Sequence, residues 1–517
     1  MGRKVCLKGF HKMCKASYVL MCERLSAKSG QTPYVGRCPT LRIAMHAIAM
    51  HHTARLYTVS AGPCTILARY VTALTLALSM TTFAQAADYL ITQYGAVPDT
   101  SRLSTAAIQQ ALYACAAAGG GRVVVPTGQW KTSSLRLRSH VNLYLESGAT
   151  LYGSTDLADY RREQSAYVSL RTQTSTVQLI YTEGETDVTL SGQGTIDGQG
   201  HVFPKLDWND EGITRPHLLR FISCQKVTVT GITLRQSGCW MQHYLACDDV
   251  HINGIRVFNR NNYNNDALDL DGCHNVVVSD LICDSDDDGI TLKSTSPRLC
   301  ENIAITGCVV SSRCNAIKLG TETNGGFRNI SVSNCIIKPS SIKEPTFFGH
   351  AHGHGGIALE IVDGGTLENV VVSNIVIQGT ESPIFIRLGN RARPYREGQV
   401  IDHVGTLRGI TLANIRILAA GPVGCSITGL PGHYVEDVCL SHISIEQAGG
   451  CTEPIASPQD EKAAEYPEAT MWGNLPATGF FIRHARNIRI DDLHVQTLQP
   501  DTRPTVVLDD VEQCTQR

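Results

Sequence analysis

The chain has 517 residues, of which 43% are hydrophobic and 18% charged. This balance excludes a disordered chain and supplies enough apolar material for a large core. Aromatic residues make up only 6% and mean hydropathy is -0.06, which excludes a multispanning helical membrane protein. The formal net charge of -2 hides a polarity. Residues 1–86 carry 11 Lys and Arg against a single acid, Glu23, leaving 34 basic and 46 acidic residues for the rest. An anionic body of this kind is unsuited to nucleic acid.

Residues 70–83 form an apolar run too short to span a bilayer comfortably, preceded by Arg69 and followed by Ala84-Gln85-Ala86. A basic flank, a short apolar stretch and a small-x-small tripeptide predict a secretory signal peptide over about 69–86. The mature chain then begins near Ala87 and is exported to the periplasm or the exterior, with no membrane attachment after cleavage. Residues 1–86 are thus expected to be a leader outside the fold, and 87–517 the folded domain. Fourteen cysteines follow residue 86. Cys273, Cys283, Cys308, Cys335 and Cys439 fall inside apolar strand patterns, which favours buried thiols over a disulfide framework. No CxxC spacing supports a zinc site.

Thr105–Ala118 reads as a short helix with Ala106, Ile108, Leu112 and Cys115 on one face, stopped by Gly119-Gly120-Gly121. Beyond it one pattern recurs: an Asn or polar opening, then apolar residues at every second position. It starts at Lys226, Asp249, Asn275, Asn302, Asn329 and Asn369, with weaker copies at Gly409, Asp437 and Asn487. The first steps are 23, 26, 27 and 27 residues and the later ones 40, 40, 28 and 50, which implies inserted loops. Period two means strands with one face buried. Repeats this short cannot bury that face alone, so stacked turns must share one core. The expected fold is all-β: a single-stranded, right-handed parallel β-helix with a short N-terminal capping helix. Propeller blades need about 40 residues or more, which the 23–27 spacing does not allow.

A second strand in each turn has the form x-small-apolar-x-apolar-x: Asp266–Asp271, Asp288–Lys293, Asn315–Gly320, Gly355–Glu360 and Ser382–Arg387. With the apolar positions inward, the others stack outward in columns about 4.8 Å apart. One column holds Asp266, Asp288 and Asn315. A second holds Asp269, Thr291, Lys318, Ala358 and Phe385. A third holds Asp271, Lys293, Gly320, Glu360 and Arg387. Asp286 and Asp287 lie in the turn just before Asp288. Carboxylates converging on neighbouring coils repel, which raises at least one pKa and suits a protonated acid beside an ionised base. A solvated acidic turn or a calcium site is the alternative reading of the same residues.

Asn264-Asn-Asp-Ala-Leu-Asp269 and Ser285-Asp-Asp-Asp-Gly-Ile-Thr-Leu-Lys-Ser294 resemble the paired signatures of glycoside hydrolase family 28, the polygalacturonases. Gln93–Asp99 and Ala116–Pro126 resemble that family's N-terminal cap, and the likeness runs from about residue 88 to about 510. The resemblance implies a solenoid of the pectate-lyase type that hydrolyses α-galacturonide bonds in a pectic polysaccharide or oligosaccharide with inversion. It implies Asp287 as general acid, with Asp266 and Asp288 activating water from carboxyls roughly 6.5–9.5 Å from the acid. It also implies sugar contacts at Trp240 and His243, together with Asn264, Asp269, Lys293, Asn315 and Lys318 around the groove.

Two positions depart from the family pattern. Asn315 stands where the family has His, and Ala358-Leu-Glu360 stands where the family has the Arg-Ile-Lys that holds a uronate carboxylate. A uronate beside Glu360 needs a neighbouring cation, and Lys318 and Arg387 lie one coil away on either side. Otherwise the sugar is neutral or of rhamnogalacturonan type. His350-Ala-His-Gly-His354 reads as a rim loop more than as a metal site, and the sequence leaves open whether one of its His stands in for the missing one. No metal or cofactor is expected, and the protein is expected to be a monomer whose partner is carbohydrate. The lengthened turns at 339–355 and 388–408 favour exo attack by walling the groove. A pectate lyase and a non-catalytic carbohydrate-binding β-helix are the rival readings.

Overall fold

The computed structural model describes residues 88–207, 209–342 and 352–517. The expected leader, residues 1–86, lies outside them, as does His350. Among the described residues the strands form one 32-stranded sheet wound into a parallel β-helix. All nine copies of the repeat fall in a single column. Val227, Val250, Val276, Ile303, Ile330, Val370, Ile410, Val438 and Ile488 are successive Cα partners in parallel register. These side chains are almost wholly buried, so each coil covers the apolar face of the one before it, as a solenoid requires. The second 40-residue step and the 50-residue step keep the register because residues 389–405 and 448–479 leave the sheet as loops.

The Asn that opens the repeat has a structural cause. Asn275, Asn302, Asn329 and Asn369 all adopt left-handed backbone, with φ between 56° and 59°, a conformation that Asn tolerates far better than most residues. Their side-chain amides hydrogen-bond from coil to coil. Asn302 donates to Asn275 at 3.2 Å, Asn329 to Asn302 at 3.0 Å and Asn369 to Asn329 at 3.2 Å. The ladder holds the corner between two strands while adding its bonds along the solenoid axis.

The N-terminal helix spans Thr105–Ala117. It buries Ala107, Ile108, Ala111, Leu112 and Cys115, whereas Ala106, expected on that face, is exposed. Gln109 fixes it to the first coils, donating to Arg136 O at 2.9 Å and accepting from Arg136 N at 2.8 Å. Thus the helix satisfies backbone groups as well as covering apolar ones. All 14 described cysteines are free thiols. Cys224, Cys247, Cys273 and Cys300 are fully buried, and several thiols donate to strand carbonyls, such as Cys273 to Tyr244 at 3.2 Å and Cys300 to Leu270 at 3.3 Å. No helix among the described residues is long and apolar enough to cross a membrane.

Leu292 is fully buried in the shared core and Ile282 is 47% exposed. Chemical denaturation should show Leu292→Ala losing about 2–5 kcal/mol of stability, and Ile282→Ser changing it by no more than about 0.5 kcal/mol.

Candidate active site

The acidic columns assemble on one face of the β-helix. Asp269, Thr291, Lys318, Ala358 and Phe385 are successive Cα partners. Asp266, Asp288 and Asn315 sit at the starts of their rungs and are tied together through the backbone: Ala267 N donates to Asp288 O at 3.0 Å and Gly289 N to Asn315 O at 2.8 Å. The third column is interrupted. Asp271 pairs with Lys293 and Glu360 with Arg387, but the register shifts between Leu292 and Ser294. Gly320 therefore does not continue from Lys293.

Two lysines organise the carboxylates. Lys293 Nζ lies 3.8 Å from Asp266, 3.6 Å from Asp269 and 3.6 Å from Glu322. Lys318 Nζ donates to Asp288 Oδ2 at 3.0 Å, while the backbone and side-chain amides of Asn315 both donate to Asp288 Oδ1 at 3.0 Å. The nearest carboxylate oxygens of Asp287 and Asp288 approach within 4.8 Å of each other, closer than the roughly 6.5–9.5 Å expected between acid and base, because the two residues are adjacent in one turn. Asp287 is held in its turn by its main chain, whose carbonyl accepts from Ser285 Oγ at 3.0 Å and Ser312 Oγ at 2.6 Å.

These contacts divide the acids. Burial, reinforced by the charge of Asp288, pushes the Asp287 carboxyl up to about 6. Burial also works against ionisation of Asp288, but Lys318, Lys293 and the Asn315 amide outweigh it and bring this carboxyl below its usual value. Burial drives Asp266 well upward, with Asp269 and Asp287 adding repulsion, and lifts Asp269 to about 8. Both carboxyls therefore favour their protonated forms at neutral pH. Glu360, buried against Gly320, is raised to about 8 by burial.

Other predicted contacts lie elsewhere. His243 is fully buried and faces Asp271, with Nε2 3.1 Å from its carboxylate; burial brings its pKa down to about 4. Its ring is closed off from any sugar. Trp240 is only 2% exposed, and the cations of Lys293 and Arg171 sit 4.6 Å and 5.1 Å from its ring centroid. The indole thus supports cations instead of offering a sugar platform. Asn264 accepts from Arg215 at 2.9 Å and shapes its turn with a φ of 51°. Arg387 donates to the carbonyls of Gly429 at 3.0 Å and Glu461 at 2.5 Å and stacks on Trp472. With Arg387 engaged there and Lys318 on Asp288, neither is a spare cation for a uronate beside Glu360.

Several site residues carry no local sequence signal. The segment between Gly153 and Gln178 crosses the face: Leu170 N reaches Thr295 O at 2.8 Å, and Arg171 binds Glu211 and, at 2.5 Å, Glu322. The turn after Leu388 meets it, with Gln173 donating to Tyr395 O at 2.7 Å and Arg391 pairing with Asp363 at 2.5 Å. From the other end, the segment between Gln447 and Phe480 places the Tyr466 hydroxyl 3.1 Å from Lys318. It also sets Glu468 3.2 Å from His354 Nδ1. Cys314, His354 and Glu468 each bring a donor atom within 4.8 Å of the others, close enough to share a soft divalent cation. These contacts join residues up to 222 positions apart, so only their placement in the folded chain reveals them.

The family model for glycosyl hydrolases family 28 matches residues 115–464. This chain belongs to glycosyl hydrolase family 28. A probable polygalacturonase of Vitis vinifera is 30% identical over 219 residues, covering 40% of this chain and 44% of that protein. An exo-poly-alpha-D-galacturonosidase of Dickeya chrysanthemi is 28% identical over 249 residues, covering 39% and 41%. The chain therefore spans less than half the length of these curated relatives. Among solved structures, a family 28 exopolygalacturonase of Yersinia enterocolitica aligns with a TM-score of 0.60 at 17% identity, covering 83% of this chain and 78% of that one. An exopolygalacturonase of Thermotoga maritima aligns at 0.58 and 20%, covering 70% and 87%. Both show the same β-helix fold.

The family 28 acid cluster carries a stability cost with a defined sign. Asp269 and Glu360 are raised to about 8 and Asp287 to about 6, so between pH ~4 and ~8 the folded state binds more protons than the unfolded chain. Melting temperature should fall as pH rises through that window, and calorimetry on Asp269→Asn should show a shallower fall. An unchanged slope would contradict the buried, protonated carboxyls.

Proposed function

We propose that residues 87–517 are the catalytic domain of an exported, inverting glycoside hydrolase that cleaves α-galacturonide bonds in pectic oligosaccharides, working from a chain end. The observation that carries this reading is the split between Asp287 and Asp288. Two adjacent carboxyls are pulled in opposite directions, one towards keeping its proton and the other towards losing it.

Asp287 donates its proton to the glycosidic oxygen as the bond to the anomeric carbon breaks. A water on the opposite face attacks that carbon and gives its proton to Asp288, while Asp266 orients the water through a second hydrogen bond. Lys318 and Asn315 keep Asp288 ionised, and Lys293 lies against Asp266 and Asp269, whose burial favours their protonated forms. Asn315 thus takes over an orienting task at the position where the polygalacturonase pattern has His. The names of the relatives, a polygalacturonase and an exo-poly-alpha-D-galacturonosidase, support the substrate class, and Glu360, raised to about 8 by burial, is neutral at pH 7 and accepts a uronate beside it without a spare cation. Loops crossing the face from both ends support attack at a chain end, because they shorten the open groove to a few coils.

Asp287→Asn should lower kcat by roughly 10²–10⁴-fold on galacturonate oligosaccharides, and NMR of the first product should show the inverted anomer. The rate on wild-type protein should fall as pH rises through about 6, where Asp287 loses its proton. An unsaturated, ultraviolet-absorbing product would replace this reading with a lyase. Turnover unaffected by Asp287→Asn would remove the acid from the scheme.

A further inference from the structure

Tyr466 stands apart from every other group at the site. Asp288, Lys318, Asn315 and Glu360 are each no more than 3% exposed, whereas Tyr466 is 53% exposed. Its hydroxyl is nevertheless anchored at the centre of the cluster, 3.1 Å from Lys318 Nζ, which in turn lies 3.0 Å from Asp288 Oδ2. The aromatic ring is therefore fixed in position within two hydrogen bonds of the proposed base and still open to solvent. An exposed aromatic ring has a hydration cost that a surface loop could avoid by turning the side chain inward. Here the anchoring bond holds it outward.

The segment that carries it runs between the strands ending at Gln447 and starting at Phe480. The family model ends at residue 464, two positions before Tyr466. The same segment packs Ala469 against Ala358 and Phe385, and Trp472 over the Arg387 guanidinium, 5.1 Å from the ring centroid. Lys462 Nζ closes it by donating to Met471 O at 2.8 Å. Ala358 occupies the rung directly after Lys318. The segment thus seats itself on the coils where a cation for the sugar was expected from the family pattern, and presents a ring there instead.

We propose that Tyr466 is a stacking platform for a pyranose ring of the substrate next to the scissile bond. The proposal rests on the hydrolase reading above. The C–H face of a sugar covers an aromatic ring without needing a counter-charge, which suits a site whose lysines are already matched by carboxylates. The hydroxyl of the same residue steadies Lys318 and through it Asp288, so Tyr466 links substrate contact to the base.

The test separates the ring from the hydroxyl. In an Asp287→Asn background, calorimetric titration with galacturonate oligosaccharides should show Tyr466→Ala weakening Kd roughly three- to tenfold. Tyr466→Phe, which keeps the ring, should stay within about twofold. In the active enzyme Tyr466→Ala should raise KM more than it lowers kcat, and Tyr466→Phe should move the acid limb of the pH profile. Melting temperatures near that of the parent show that the variants are folded. Equal affinity of Tyr466→Ala and the parent overturns the platform, as does an equal loss in Tyr466→Phe. If the Asp287→Asn parent binds no pectic oligosaccharide, the hydrolase reading falls and the platform falls with it. If the parent binds and Tyr466→Ala is indifferent, the platform alone falls.

Discussion

Two buried ammonium groups make the acid cluster possible. A β-helix stacks equivalent residues on successive rungs at about 4.8 Å, so an acidic position repeated from coil to coil brings carboxylates together whether or not they can tolerate it. Here the rung that opens at Asp288 carries Lys293 in the column of Asp271, and the next rung carries Lys318 in the column of Asp269. Each lysine lies against a different part of the cluster. Removing a charge pair from water is costly, and leaving one partner alone costs more. The cluster stands because most of its members are matched, and the unmatched remainder keeps its protons.

The same arrangement separates acid from base. Asp287 and Asp288 are adjacent in sequence, the first half-buried and the second buried, yet only Asp288 receives Lys318 and both amides of Asn315. Geometry of a few ångströms therefore sets two protonation states in one turn. Placing the lysine one rung beyond the aspartate is an economical device on a solenoid, since no loop has to be positioned to achieve it.

The sequence revealed those features that repeat. Period-two alternation from Lys226 to Asn487 located the coils and their register because every inward residue has the same partner type above and below. The second acidic column, from Asp269 to Phe385, was readable for the same reason. The third column was misread at Gly320, where the rung after Lys293 slips its register and simple counting no longer applies. Trp240 and His243 lie in a recognisable stretch, but their surroundings come from elsewhere: Arg171 and Lys293 cover the indole, and Asp271 holds the imidazole. The segments carrying Arg171, Tyr466 and Glu468 have no periodicity, so nothing local marks where they land. What they do depends on crossing several coils. Ala106, expected to be buried on the capping helix, shows a smaller version of the same limit, since a short helix can rotate by a fraction of a turn without breaking its pattern.

The most direct measurement is a carbon-13 NMR titration of the aspartate carboxyls, with Asp287→Asn and Asp288→Asn used for assignment. The account predicts that Asp287 changes state near pH 6 while Asp288 remains ionised to below its ordinary value. If the two titrate together in the range of exposed aspartates, about 4, the division of labour drawn from Lys318 and Asn315 is contradicted.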